Sequence, residues 1–242
     1  PRVRAGTYPV GLEPRLASAL GHHTLGHLSE ADALARDPDA DQLMRPGKRV
    51  GSDLLTAGDD GSASSLTGSL AFDDEGAPTQ NTLLVQHGVV VGRLHTRETA
   101  ARAGVRPTGS ARASSFRSVP EARLTNTYLA NGKGALEDLL RGISYGIYCC
   151  DAMGGETHLG RFSITAGYGQ VIRDGQLAEM VKPMVLAGDL AETLQRVDAV
   201  AGDFKWSHLA SRCSRPDSGT VSVAEGAPHI RIDGCMVGGE SA

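Results

Sequence analysis

Three of the chain's eight histidines fall within six residues, in the run Gly21-His22-His23-Thr24-Leu25-Gly26-His27. Neutral imidazole is the commonest side-chain ligand for zinc and similar ions, so this run is the first place to look for chemistry. Its spacing allows two readings. On a regular α-helix His22 and His27 lie about 140° out of line, whereas His23 and His27, four apart, share a face. Either the helix carries a one-residue π-type bulge, as helices often do at functional sites, or the working pair is 23/27. Two histidines do not complete a catalytic zinc centre; a third protein ligand has to come from elsewhere, with one position left open. The candidates are Cys213, Glu30, Asp32 and the remaining histidines. Cys213 lies in Ser211-Arg212-Cys213-Ser214-Arg215, which reads as a polar loop, unusual company for a cysteine. Cys235, between Gly234 and Met236, reads as packing. Cys149 and Cys150 read as neighbours on a strand that face opposite sides.

Other charged groups have plainer readings. Asp73-Asp74-Glu75-Gly76 lacks the alternating spacing of a calcium loop and reads as a solvated acidic turn, as does Asp59-Asp60-Gly61. The arginines between Arg93 and Arg123 could engage a substrate carboxylate, but a solvated loop explains them more simply.

The elements that must position these residues come from a chain of 242 residues, enough for a full core. It is 40 % hydrophobic and 21 % charged, ordinary for a soluble globular protein, and its 4 % aromatic content leaves the core to aliphatic side chains. A net charge of −4 gives no electrostatic case for nucleic acid or an anionic membrane. No apolar run approaches the ~20 residues of a membrane helix, and four scattered cysteines suit reduced thiols in a cytoplasmic protein.

Thr7–Leu12 reads as a strand that Pro9 confines to an edge or an end. Pro14 suits the first turn of a helix, and Leu16, Ala19, Leu20, Leu25 and Leu28 extend its stripe to about Ala31. Residues 32–47 read as a mobile loop or lid. Leu83–Val91 reads as a hairpin turning at His87-Gly88, and 103–122 as a long surface loop. Helices are expected over 135–145 and 189–200. Strands are expected at 162–165 and 169–172, with a hairpin turn at Asp174-Gly175. Thr220–Val223 and His229–Ile232 alternate as paired strands do. Together these predict an α+β domain with a mostly antiparallel, hairpin-rich sheet and a few short helices.

Taken in order, several blocks resemble the C-terminal domain of the TldD/PmbA metalloprotease family, also known as modulators of DNA gyrase. They are Gly6-Thr7-Tyr8-Pro9-Val10 leading to Glu30-Ala31-Asp32, and a His-Glu-x-x-x-His-like helix motif at His22-His23-Thr24-Leu25-Gly26-His27. Phe72–Thr79, Arg123–Tyr128, Gly132, Gly146-Ile147-Tyr148, Asp174-Gly175, Val200–Asp203, Cys213 and Val237-Gly238-Gly239 follow. The resemblance runs from about Gly6 to Gly239.

It implies a zinc site made by His22, His27 and Cys213, favouring the five-residue spacing. It also implies an unfolded peptide or peptide-like substrate lying in a cleft, added edge-on to a sheet, a mode tolerant of sequence. Members commonly form homodimers, or heterodimers in which one partner bears the metal motif. Two departures stand out. His23 replaces the motif glutamate, the group that moves protons in a zinc peptidase, and loss of such help typically costs about 10²–10⁴ in rate; His23 is then the candidate base. The resemblance covers only the C-terminal domain, so a single domain over 1–242 is expected, without the family's N-terminal α/β domain. The function expected is a zinc-dependent peptidase or amide hydrolase acting on unfolded or small peptides. The alternatives are a relative recruited to natural-product biosynthesis and a non-catalytic subunit of a heterodimer.

Overall fold

Pro9 sits inside the first strand, Gly6–Leu12, which is central rather than marginal. The strand pairs antiparallel with Ile230–Gly238 on one side and parallel with Tyr145–His158 on the other. Proline is accommodated because the register shifts between Tyr8 and Val10, so its missing N–H falls at a bulge. The computed structural model describes residues 1–158, 160–207, 211–215 and 218–238.

Tyr145–His158 and Arg161–Arg173 form a long antiparallel hairpin, and the second of these strands also pairs with Met184–Asp189. Met184–Asp189 pairs in turn with Ile230–Gly238, which returns to Gly6–Leu12. The sheet therefore closes on itself. Gln176–Val181 is attached to Arg161–Arg173 through the turn at Asp174-Gly175, both residues at positive φ as a tight hairpin needs. Val197–Val200 is attached to Ile230–Gly238.

A second sheet runs in the order Lys205–Trp206, Gly219–Ala227, Asn126–Leu129, Ala57–Asp60, Asn81–Gln86, Val89–Val90, and Ser211–Arg215 also pairs with Gly219–Ala227. The expected mixed α+β character, strand-dominated with few short helices, is present. The expectation of a hairpin-rich antiparallel sheet is met only in part. Closure and the parallel pairs Gly6–Leu12/Tyr145–His158 and Gly219–Ala227/Asn126–Leu129 are set by strands far apart in sequence. For the same reason Gly219–Ala227 and Ile230–Gly238 do not pair with each other but belong to different sheets.

The opening helix, Pro14–Gly21, lies against strands of both sheets. Glu13 caps it, accepting the N–H groups of Arg15 and Leu16, and Pro14 fills the first position, where no N–H is needed. Leu16, Leu20 and Leu25 enter the main core with Val10, Leu12, Ile164, Leu186, Ile232 and Val237.

Elsewhere the helical expectations change. Residues 32–47 are no open loop: they hold short helices at Ala31–Leu34 and Pro38–Leu43, and Leu34 and Met44 are buried. The 135–145 helix is confined to Leu136–Leu140, and Tyr145 already begins a strand. The 189–200 helix stops at Gln195, because Val197–Val200 is taken up as a strand beside Ile230 and Ile232. The His87-Gly88 hairpin is as expected, and 103–122 is mostly irregular apart from the small pair Ala111–Arg112 with Glu121–Ala122.

Candidate metal centre

At His22 the opening helix changes pitch. His22–Gly26 is a π-helical turn, and the N–H of His27 reaches back five residues to the carbonyl of His22. Of the two spacings open to the sequence, this is the bulged one. The extra residue brings His22 and His27 to one side, with ring centroids 4.8 Å apart, against 6.0 Å for His23 and His27.

Local sequence explains the turn. A Cβ on Gly21 would come 3.0 Å from Leu129, and one on Gly26 3.0 Å from Leu124, so small residues let the widened turn sit down on the second sheet. Thr24 Oγ1 donates to the Leu20 carbonyl at 2.6 Å, taking up an acceptor near the irregular turn.

Cys213 arrives from a strand, not a polar loop. Ser211–Arg215 pairs with Gly219–Ala227, and the alternation of the strand buries Cys213 between exposed Arg212 and Ser214. Its Sγ lies 3.6 Å from His27 Nε2. One ligand atom each from His22, His27 and Cys213 fall within 4.8 Å of one another.

The electrostatics draw Cys213 toward thiolate and hold His22 and His23 neutral. Burial alone would push the Cys213 thiol up, but His27 and the Arg123 guanidinium outweigh it and hold it below the usual range. Arg123 Nη2 donates to Cys213 Sγ at 3.4 Å and to the Cys213 carbonyl at 2.9 Å. Burial, and then the neighbouring His27 and His23, hold His22 well below the ordinary histidine value. His23 is lowered to about 4 by burial and then by His27. The neutral form, which is the metal-donor form, is thereby favoured.

Each of the two outer histidines has a carboxylate behind it. His27 Nδ1 faces Glu30 Oε2 at 3.1 Å. Glu30 is fully buried; it pairs with Arg215, has Arg123 Nε at 3.8 Å, and accepts the Leu124 N–H at 3.3 Å. His22 Nδ1 lies 3.3 Å from Glu225 Oε1 but is not aligned for a hydrogen bond and remains a buried, unpartnered atom. Burial raises Glu225 to about 7. Two imidazoles and a thiolate converging within 4.8 Å make a donor set that fits zinc. Three donors would leave the fourth position of a tetrahedral ion open.

Among the described residues the remaining candidates fall outside the cluster, and His208 lies outside the described residues. Glu30 backs His27 rather than joining the three donors. Asp32 accepts the Ala122 N–H at 2.9 Å. His23 lies beside the cluster, 5.2 Å from the His22 ring, and its carbonyl accepts from Thr157 Oγ1. Cys149 and Cys235 are in the main core and Cys150 in a smaller one on the other face of its strand, as their neighbouring positions imply. Burial raises all three thiols, Cys149 well above the ordinary value, Cys150 to about 11 and Cys235 to about 12.

Several polar residues read as solvated are buried. Asp59 accepts from the backbone N–H of Thr125 and the hydroxyl of Thr127, and Asp73 accepts the N–H groups of Glu75, Ala77 and Ala111. Arg112 and Arg123 are likewise interior. Glu225 had a signal in the sequence: it shares parity with Val221 and Val223, so a carboxylate stands on the buried side of an alternating strand. Arg123 and Arg215 had none.

The architecture is shared with solved proteins. It superposes on TldE from Thermococcus kodakarensis with a TM-score of 0.75 at 21 % identity, covering 98 % of this chain and 51 % of that one. It superposes on a putative modulator of a DNA gyrase from Thermotoga maritima with a TM-score of 0.79 at 23 % identity, covering 97 % and 50 %. At these identities the likeness establishes the fold.

The sequence goes further: the PmbA/TldA metallopeptidase C-terminal domain pattern matches residues 5–239, and the chain belongs to that family. A metalloprotease of Synechocystis sp. is 40 % identical over 242 residues, covering all of this chain and 52 % of the relative. A zinc metalloprotease TldD homolog of Saccharolobus solfataricus is 31 % identical over 238 residues, covering 98 % and 52 %. The chain thus spans about half the length of the curated relatives it matches.

Proposed function

We propose that this chain carries the metal centre of a zinc-dependent peptidase or amide hydrolase acting on unfolded or small peptides, with His22, His27 and Cys213 as ligands and His23 as the proton acceptor. The observation that carries the reading is the convergence of three donor atoms within 4.8 Å from a π turn and a distant strand. The name of the Saccharolobus solfataricus relative supports zinc. Bound zinc supplies Lewis acidity and makes water a better nucleophile near neutral pH.

The protein's own residues do the rest. Glu30 takes the Nδ1 side of His27, which turns Nε2 toward Cys213, and Glu225 stands on the same side of His22. Arg123 donates to Cys213 Sγ and tempers the thiolate charge. His23, neutral at pH 7, accepts a proton as a weak base.

Ser211–Arg215 is hydrogen-bonded to a neighbouring strand on one side, Gly219–Ala227, among the described residues. Its other edge is where an extended peptide can add, beside Cys213. A second reading, a non-catalytic subunit of a heterodimer, draws on the histidine at position 23, where the family motif has glutamate.

The test is elemental analysis of the purified protein, cobalt substitution, and cleavage of an unfolded peptide. Expected are one zinc per chain, a sulfur-to-cobalt charge-transfer band that Cys213→Ser removes, and cleavage that His27→Ala abolishes. His23→Glu is expected to raise the rate by about 10²-fold or more. Zinc far below one per chain, with no thiolate band, would reject the centre. Bound zinc without cleavage by either the parent or His23→Glu would support the subunit reading.

A further inference from the structure

Away from the metal cluster, a cleft of about 870 Å³ opens between the turn after Pro38–Leu43 and the helix Arg97–Ala103. Four arginines line it, Arg45, Arg93, Arg102 and Arg106, against one carboxylate, Asp41. That balance is opposite to the net −4 of the whole chain.

The arginines differ in how far they are already satisfied. Arg93 is clamped by Asp41 Oδ1 at 2.7 Å and by the carbonyls of Asp41 and Met44, so it forms a fixed floor. Arg102 pairs with Glu98 one turn back on its helix. Arg45 and Arg106 have no carboxylate partner among the described residues. Two uncompensated guanidinium groups in a concavity are suited to planar, bidentate recognition of carboxylate or phosphate.

The cleft is also anchored to the segment that bears the metal cluster. Leu94, between two of its lining residues, donates its N–H to Ser29 and accepts the N–H of Ala31, the residues on either side of Glu30.

We propose that this cleft is a binding site for an oxyanion, a carboxylate or phosphate group on a small ligand or at a peptide terminus, held by Arg45 and Arg106 over the fixed Arg93. It is separate from the metal centre and does not depend on it.

The test is an NMR titration of the isotopically labelled protein with inorganic phosphate, and with a short peptide bearing either a free or an amidated C-terminus. Saturable shifts confined to the amides of residues 41–48, 91–95 and 102–108 are expected. The double variant Arg45→Gln/Arg106→Gln, altered at two exposed positions and so expected to stay folded, should weaken binding by about tenfold or more. Phosphate binding assigns the phosphate form of the ligand, and binding of the free but not the amidated peptide assigns the carboxylate form. Failure of both phosphate and free peptide to shift those amides, or equal affinity in the double variant, would overturn the site.

Discussion

His27 and His229 are held alike on one side and differently on the other. Each has a carboxylate at Nδ1, Glu30 at 3.1 Å for His27 and Asp203 at 2.6 Å for His229. Beyond His229, Nε2 meets the Tyr148 hydroxyl at 2.8 Å, and the His229 N–H returns to Asp203 Oδ1. Burial alone would raise the Asp203 carboxyl, but bonding from His229 brings it below the usual range. Burial, then nearby Cys150 and Glu13, push the Tyr148 phenol up, so it stays a neutral hydroxyl. Both nitrogens of that ring are answered by protein, and the group ties the strand Tyr145–His158 to the connecting segments that hold Asp203 and His229. Beyond His27, Nε2 meets a thiol drawn toward thiolate and stands beside the ring of a second imidazole, His22. The difference lies in what the far nitrogen is left to do: a satisfied histidine holds structure, and one facing soft donors is ready to hold an ion.

That contrast breaks most sharply at the metal itself. Cys213→Ser or His27→Ala should abolish stoichiometric zinc, while His229→Gln should leave it unchanged, both read by elemental analysis. Equal loss from both histidines would erase the distinction. Next in size is Glu30→Gln, which leaves Arg215 and Arg123 facing an uncharged buried partner. Urea unfolding of the metal-free protein should show a loss of about 3–5 kcal/mol, the usual scale for breaking a buried pair.

Glu225→Gln should keep the fold yet weaken zinc binding by about 10–100-fold, measured by chelator competition, as removal of a ligand's outer partner does. Unchanged affinity would mean that Glu225 does not orient His22. The smallest effect belongs to the bracing group: Tyr148→Phe should cost about 1 kcal/mol in the same unfolding assay with zinc content intact.

The histidine pair was legible in the sequence because three imidazoles in one short run are conspicuous, and the π turn decided which two converge. The strand that carries Cys213 was not, since its outward residues are serines and arginines that read as loop, and Arg215 is spent on Glu30. Asp59 and Asp73 misread for a related reason. A buried carboxylate that accepts backbone N–H groups has the same local sequence as a solvated turn, and only tertiary neighbours tell them apart. The split at Gln195 was hidden because Leu190, Leu194 and Val197 are buried both in a continuous helix and in a helix followed by a strand.

Closure of the first sheet also has a kinetic side. Its opening strand cannot gain its antiparallel neighbour until residues 230–238 have left the ribosome, and the sulfur donor at 213 emerges more than 180 residues after the histidines it joins. Contacts of such long sequence separation form slowly. During synthesis the nascent chain therefore carries two imidazoles without their sulfur until the Ser211–Arg215 strand has emerged and paired with Gly219–Ala227.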